Sequence, residues 1–148
     1  DLQVLQLLVP VGSPVGSPGV LITQNAANAD VKGAELEFTI APTDRLVFQG
    51  GVTHLDTKFR NFFVPAGYEA PSGQAATNTS RVGNALRNAP ELAYNVLARY
   101  RQPLASGASL SYQIDWRHKD EVASDPDNLP QAFIPAYDLS DLRIAWTS

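Results

Sequence analysis

Leu92-Ala93-Tyr94-Asn95-Val96-Leu97-Ala98-Arg99-Tyr100 and Ala108-Ser109-Leu110-Ser111-Tyr112-Gln113-Ile114-Asp115-Trp116-Arg117 decide the fold class. Every even-numbered position in the two stretches is apolar or aromatic, and the odd ones are polar apart from Ala93 and Leu97. A β-strand turns successive side chains to opposite faces, so this alternation builds strands with one apolar and one polar face. Between the two runs sits Gln102-Pro103-Leu104-Ala105-Ser106-Gly107. Pro and Gly there break the ladder and reverse the chain, so the runs form one hairpin.

Upstream the same pattern recurs. Ala34, Leu36, Phe38 and Ile40 alternate with Glu35, Glu37 and Thr39, and Ala41-Pro42-Thr43-Asp44 makes a turn. Leu46, Phe48, Gly50 and Val52 then alternate with Val47, Gln49, Gly51 and Thr53 in a strand reaching about Phe59. Further strands are expected near Leu2–Val9, from Val20 to Thr23, and where Leu142, Ile144 and Trp146 alternate with Asp141, Arg143 and Ala145. The reading is all-β: about six strands in an antiparallel up-and-down meander, without a helix. Connections alternate in length. Those at 41–44 and 102–107 are tight, whereas 10–19, 61–89 and 121–135 are long and rich in Gly, Pro, Asn and Ser. Long loops at one end and short turns at the other is the plan of outer-membrane barrels. The loop at 10–19 holds a tandem repeat, Val11-Gly12-Ser13-Pro14 and Val15-Gly16-Ser17-Pro18, which reads as loop slippage.

Composition narrows the choice. Charged residues make up 18% of the 148, below the roughly 25% of soluble domains. A net charge of −4 argues against a nucleic-acid partner. The absence of Cys removes disulfide scaffolds, thiolate nucleophiles and zinc ribbons. No run of 18 apolar residues exists, so no helix spans a bilayer. Asp1-Leu2-Gln3-Val4 carries neither initiator Met nor signal sequence, and an excised segment is expected.

The polar strand faces carry Glu35, Glu37, Gln49, Thr53, Asn95, Arg99, Gln113, Asp115, Arg117, Asp141 and Arg143, with Lys almost missing. Arg bridges several carboxylates in a confined, hydrated space better than Lys does, which suits a water-filled lumen. The apolar faces set Phe38, Phe48, Tyr100 and Trp146 by the short turns and Tyr94 and Trp116 towards the long loops. Two aromatic belts separated by aliphatic residues match the two interfaces of a bilayer. Patterning leaves two architectures open: an arc of a transmembrane barrel, or a soluble β-sandwich or small-barrel binding module with aromatic core ends.

Asn25-Ala-Ala-Asn28-Ala-Asp-Val-Lys-Gly33-Ala-Glu35-Leu-Glu37 resembles a strand in the second half of the barrel of TonB-dependent outer-membrane receptors. Leu46-Val-Phe-Gln-Gly-Gly51-Val-Thr-His-Leu-Asp56-Thr-Lys-Phe59 is similar to the strand that follows it there. Gly83-Asn84-Ala-Leu-Arg-Asn-Ala89-Pro90-Glu-Leu-Ala-Tyr94, and Pro135-Ala136-Tyr137 leading into Leu142-Arg143-Ile144-Ala145, also resemble that family, in the right order along most of the chain. The resemblance implies a 22-stranded barrel around an amino-terminal plug in the outer membrane of a Gram-negative bacterium. Such a barrel takes up a siderophore, cobalamin, haem or oligosaccharide through a TonB complex. On that reading residues 1–148 are a partial barrel domain, and its partners are the lipid bilayer, the remainder of the barrel and plug, and a small-molecule or glycan ligand. The TonB complex is a partner of the intact parent only, and no cofactor is implied.

Among candidate sites, Phe59, Phe62, Phe63 and Tyr68 offer rings to stack on a ligand, with Arg60 and Arg81 for anionic groups. The plainer alternative is that the Phe cluster packs the loop. Arg99 or Arg117 could touch a passing anion, but pairing with Asp115 or Glu37 is the simpler role. His54 and Asp56 share a strand face, while His118 lies on another strand near Asp120 and Glu121, so no metal centre is expected. Asp125-Pro126-Asp127-Asn128 lacks the spacing of a calcium loop and reads as solvated. Glu35 and Glu37 are the one carboxylate pair that a carbohydrate-active enzyme could use, and no nucleophile elbow accompanies them. No catalytic residue is expected. Asn78-Thr79-Ser80 matches a glycosylation sequon, idle in a bacterium.

Overall fold

In a computed structural model, residues 2–26, 28–69 and 80–148 are described. Asp1, and Asn78 and Thr79 of the sequon, lie outside the described residues. The elements in chain order are β1 (Leu2–Pro10), β2 (Val20–Ala26), β3 (Asn28–Thr43), β4 (Leu46–Asn61), β5 (Tyr68–Glu69), β6 (Leu92–Pro103), β7 (Ser109–Lys119) and β8 (Val122–Ala123). A 3-10 turn at Pro130–Ala132, β9 (Phe133–Ile134) and β10 (Tyr137–Thr147) complete the chain. Each strand expected from alternation is present. The short β5, β8 and β9 and the 3-10 turn arise inside the long connections, where no period announces them.

Contacts divide the chain into two units. One comprises Asp1–Lys32, Asp56–Ala89 and Val122–Ile134, and the other Gly33–Leu55, Pro90–Glu121 and Pro135–Ser148. The long connections fall in the first unit, apart from Glu121 and Pro135 at the ends of the last, and both tight turns fall in the second.

The second unit is built on a five-stranded antiparallel sheet of order β10-β7-β6-β4-β3. Tight turns join β3 to β4 and β6 to β7, and long connections join β4 to β6 and β7 to β10. The register runs Phe48↔Ala98 from β4 to β6, Ala98↔Ile114 from β6 to β7, and Ile114↔Leu142 from β7 to β10. Even positions therefore pair only with even ones, and one face stays apolar across four strands. The opposite face carries the rows Gln49–Leu97–Asp115–Asp141 and Val47–Arg99–Gln113–Arg143.

The apolar face has no second layer among the described residues. Leu36 is 62% exposed, Leu142 71%, Ile144 59% and Trp146 64%. A soluble sandwich would bury this face, so the sandwich alternative gives way to a single-layered wall. β3 and β10 form the sheet's edges among the described residues, and an exposed edge is where further strands add.

Two adjacent glycines fit this wall differently. A Cβ on Gly50 would stand 2.6 Å from the Asn95 carbonyl oxygen and 2.7 Å from Phe38 Cζ, whereas one on Gly51 meets nothing closer than 3.4 Å. Gly50 thus lets the Phe38 ring lie over the strand on the apolar face.

The first unit has a core of its own. β1 pairs with β2 in the register Val4↔Gln24 and Leu7↔Leu21, and β5 adds to its other edge. Val4, Leu8, Val9, Phe59, Phe62, Val64, Val122 and Ala123 are buried. The tandem repeat is two copies of one turn. Ser13 N–H and Oγ–H both donate to Pro10 O (3.1 and 2.7 Å), and Ser17 repeats this on Pro14 O (3.0 and 2.7 Å). Gly12 and Gly16 take φ of 82° and 86° at the third turn position, the type II requirement that fixes Gly there.

Gly50→Ala should cost about 1–3 kcal/mol, because Phe38 and the Asn95 backbone must shift, while Gly51→Ala should stay within about 0.5 kcal/mol. Denaturant unfolding of the barrel in micelles reads the difference; equal costs would contradict the assigned faces.

Candidate functional site

The loop cluster lies in the first unit. β4 carries Phe59 and Arg60 on adjacent, hence opposite, faces, and Phe62 and Phe63 follow beyond its end. Phe59 and Phe62 are each 2% exposed, with ring centroids 5.0 Å apart at 48°, and Ala29 and Leu86 pack against their cluster with Val4. Both rings are core, which removes Phe59 and Phe62 from the surface a ligand reaches. Phe63 is 53% exposed and bridges Ser80, Tyr68 is half-buried beside β1, and Arg60 is exposed and ion-paired with Asp30. Arg81 is buried, and its Nε donates to Asp127 Oδ1.

That Arg81–Asp127 pair organises the loops. Gln6 Nε2 donates to the same Asp127 oxygen at 2.7 Å. Asn84 Nδ2 donates to the carbonyls of Pro126 (2.8 Å) and Asp127 (3.0 Å). Asn128 Oδ1 accepts from Ala85 N–H at 2.7 Å, and its Nδ2 donates back to Ala85 O at 3.2 Å. Residues 80–86 also lie along β4: Gly83 N–H donates to Phe59 O, Phe59 N–H to Asn84 O, and Leu86 N–H to Thr57 Oγ1. Asp125-Pro126-Asp127-Asn128 is therefore a structural clip with Pro126 fully buried, where the sequence suggests a solvated stretch. Its one signal in sequence is the Asx-turn chemistry of Asp125, whose Oδ1 accepts from Asn128 N–H at 2.9 Å. Burial, with the neighbouring Asp127 charge adding to it, pushes the Asp125 carboxyl up from 3.8.

The polar sheet face lies in the second unit. Arg99 Nε and Nη2 donate to Gln113 Oε1 at 3.0 and 2.9 Å, and Gln113 Nε2 donates to Asp115 Oδ2 at 2.7 Å. Arg117 Nη2 donates to Asp141 Oδ2 at 2.9 Å. Gln113 stands directly opposite Arg99, whereas Arg117 reaches Asp141 on the diagonal past its opposite residue Leu139, and these cross-strand partners replace the expected pairing with Asp115 or Glu37. Glu35 and Glu37 share a depression of about 350 Å³ with Thr53, Asn95, Arg117 and Lys119. Gln49 lines a second depression beside Glu37 and Asn95, and Arg143 stands cross-strand from Gln113. His54 Nδ1 lies 3.0 Å from Glu91 O, while Asp56 pairs with Lys58 at 3.0 Å in the other unit.

A single-layered meander with one apolar and one polar face, tight turns and long self-packed loops is the wall of a transmembrane barrel. The family model for "TonB dependent receptor-like, beta-barrel" matches residues 2–148. The chain belongs to the TonB-dependent receptor-like β-barrel family, whose members are transport receptors rather than enzymes. Its fold is similar to that of BauA, the ferric preacinetobactin receptor from Acinetobacter baumannii (TM-score 0.61, 14% identity, covering 99% of this chain and 19% of that one). It is also similar to the siderophore receptor PiuA from the same organism (TM-score 0.55, 21% identity, 77% of this chain and 15% of that one). The chain thus spans less than a fifth of either receptor's length.

Asp127→Ala removes the oxygen that accepts from both Arg81 Nε and Gln6 Nε2 and should destabilise the loop unit by about 1–3 kcal/mol. Faster amide exchange at Arg81, Gly83 and Asn84 is the expected readout, and unchanged protection would contradict the clip. A carboxyl whose folded pKa is raised binds more protons folded than unfolded, so Asp125 lowers stability at neutral pH and the loss is relieved as pH falls through its raised value. Asp125→Asn keeps the acceptor for Asn128 and removes the charge. It should stabilise the loops slightly at neutral pH, by less than about 1 kcal/mol, with the gain vanishing in acid; a loss at neutral pH would contradict this.

Proposed function

We propose that residues 1–148 form part of the wall of an outer-membrane active transporter in a Gram-negative bacterium. The even-numbered face of the sheet meets lipid, and the odd-numbered face lines an aqueous lumen. The observation that carries this reading is the constant parity of the register from β4 to β10: Tyr100, Ile114, Trp116, Leu142, Ile144 and Trp146 are exposed on one face, opposite a hydrogen-bonded set of Arg, Gln and Asp. Lipid tails are the solvent such a face needs, and water the solvent of the ladder. The remainder of the barrel and a plug complete the pore, and a TonB complex energises the intact parent.

A ferric siderophore is the cargo class we favour, since one structural neighbour is named a siderophore receptor and another a ferric preacinetobactin receptor. Phe63 and Tyr68, with Arg60 near the end of β4, are the residues that would meet it, an exposed ring, a half-buried ring and a cation able to contact an aromatic, anionic chelate. Arg81 supports them through the clip. Glu35, Glu37, Gln49, Arg99, Gln113, Asp115, Arg117, Asp141 and Arg143 would line the lumen.

Ile114→Arg should lower the stability of the inserted receptor by about 2–4 kcal/mol, as for a cation facing lipid near the midplane, and Gln113→Arg should be mild. Folding equilibrium into lipid vesicles measures both. Equal effects would overturn the assignment of faces.

A further inference from the structure

At the long-loop end of the sheet, on the otherwise apolar face, Tyr94, His118 and Asp138 form one cross-strand row over β6, β7 and β10. The His118 imidazole stacks on Tyr94 with centroids 4.8 Å apart and 19° between planes, and Trp116 meets Tyr94 edge-on at 5.5 Å and 85°. His118 Nδ1 lies 3.0 Å from Asp138 Oδ1, and Nε2 lies 3.1 Å from Asp120 Oδ1. Trp116 Nε1 donates to the same Asp138 oxygen at 3.1 Å. The ring therefore touches a carboxylate on each side and an aromatic face beneath.

An ionised carboxylate only accepts, and a neutral imidazole carries one N–H. In that state one of the two contacts would set a nitrogen lone pair against a carboxylate oxygen. Both are satisfied together when both ring nitrogens carry hydrogen, and the cation so formed is also the form that the Tyr94 face attracts. The charged groups facing His118 are Asp120, just beyond its own strand, and Asp138 on β10; Tyr94 is the titratable ring on β6. Arg117 and Lys119 flank it in sequence but point to the opposite face by strand alternation. Among the described residues, the ion pairs of these two carboxylates are both with His118.

We infer that His118 is a protonation-dependent clasp that fastens the loop end of β6, β7 and β10. As imidazolium it ties the three strands. Loss of one proton breaks one carboxylate contact and loosens the point where the chain leaves β7 for the connection 120–136. The nearest backbone bond at that root is Asp120 N–H to Leu92 O, 2.9 Å. The clasp adds a response to acidity that the transport reading does not contain, and it is independent of which compound is carried.

The test uses the complete receptor in detergent micelles. In mild acid, ¹⁵N spectra should show both His118 nitrogens protonated. As the pH rises through that titration, exchange of the Asp120 amide, corrected for its intrinsic rate, should quicken about fivefold or more. His118→Gln should leave that exchange flat with pH. A His118 ring with one proton in mild acid, titration without any change at Asp120, or a His118→Gln receptor that keeps the wild-type profile would each overturn the clasp. Should His118→Gln fail to fold, the two wild-type measurements decide alone.

Discussion

The structure depends on a backbone ladder that never slips by one residue. From β4 through β6 and β7 to β10 the hydrogen-bonded register joins even positions to even positions. A slip of a single residue in any pair would send one strand's apolar set to the polar face. The faces are thus defined by pairing as much as by composition, and the register sets Gln113 directly opposite Arg99 and puts Asp141 on the diagonal from Arg117, where the two side chains meet.

On the proposed reading, two solvents act on one sheet. The exposed Leu36, Leu142, Ile144 and Trp146 would be a liability in water and are an asset in lipid, where burial against acyl chains replaces a second protein layer. The long connections solve the opposite problem. Their described residues are held by a core of Val4, Leu8, Phe59 and Phe62 and by the buried Arg81–Asp127 pair. A loop unit pinned this way gives any ligand a preorganised surface, which reduces the ordering cost of binding.

Much of the sheet was legible in the sequence because period two is a local signal: Leu92–Arg99 and Leu110–Arg117 state their faces within ten residues. The turns were legible for the same reason, from Pro and Gly. The loop unit was not. Asp127 meets Arg81 across 46 residues and Gln6 across 121, and no spacing encodes such pairs. The aromatic loop residues divided in a way that residue type cannot show: Phe59 and Phe62 went into the core while Phe63, next in sequence to Phe62, stayed outside. The tandem Val-Gly-Ser-Pro repeat, which reads as slippage, proved to encode two equal type II turns because each Ser reaches back three residues to a Pro carbonyl.

The claim beneath all of this is that neighbouring residues of β7 look into different solvents. Spin labels on single Cys substitutions at each position from Ser109 to Arg117, in the complete receptor in lipid vesicles, test it directly. Collision with oxygen, which concentrates in lipid, should peak at positions 110, 112, 114 and 116, and collision with a water-soluble nickel chelate at 111, 113, 115 and 117. A profile without that two-residue alternation, or with its phase reversed, would contradict the account.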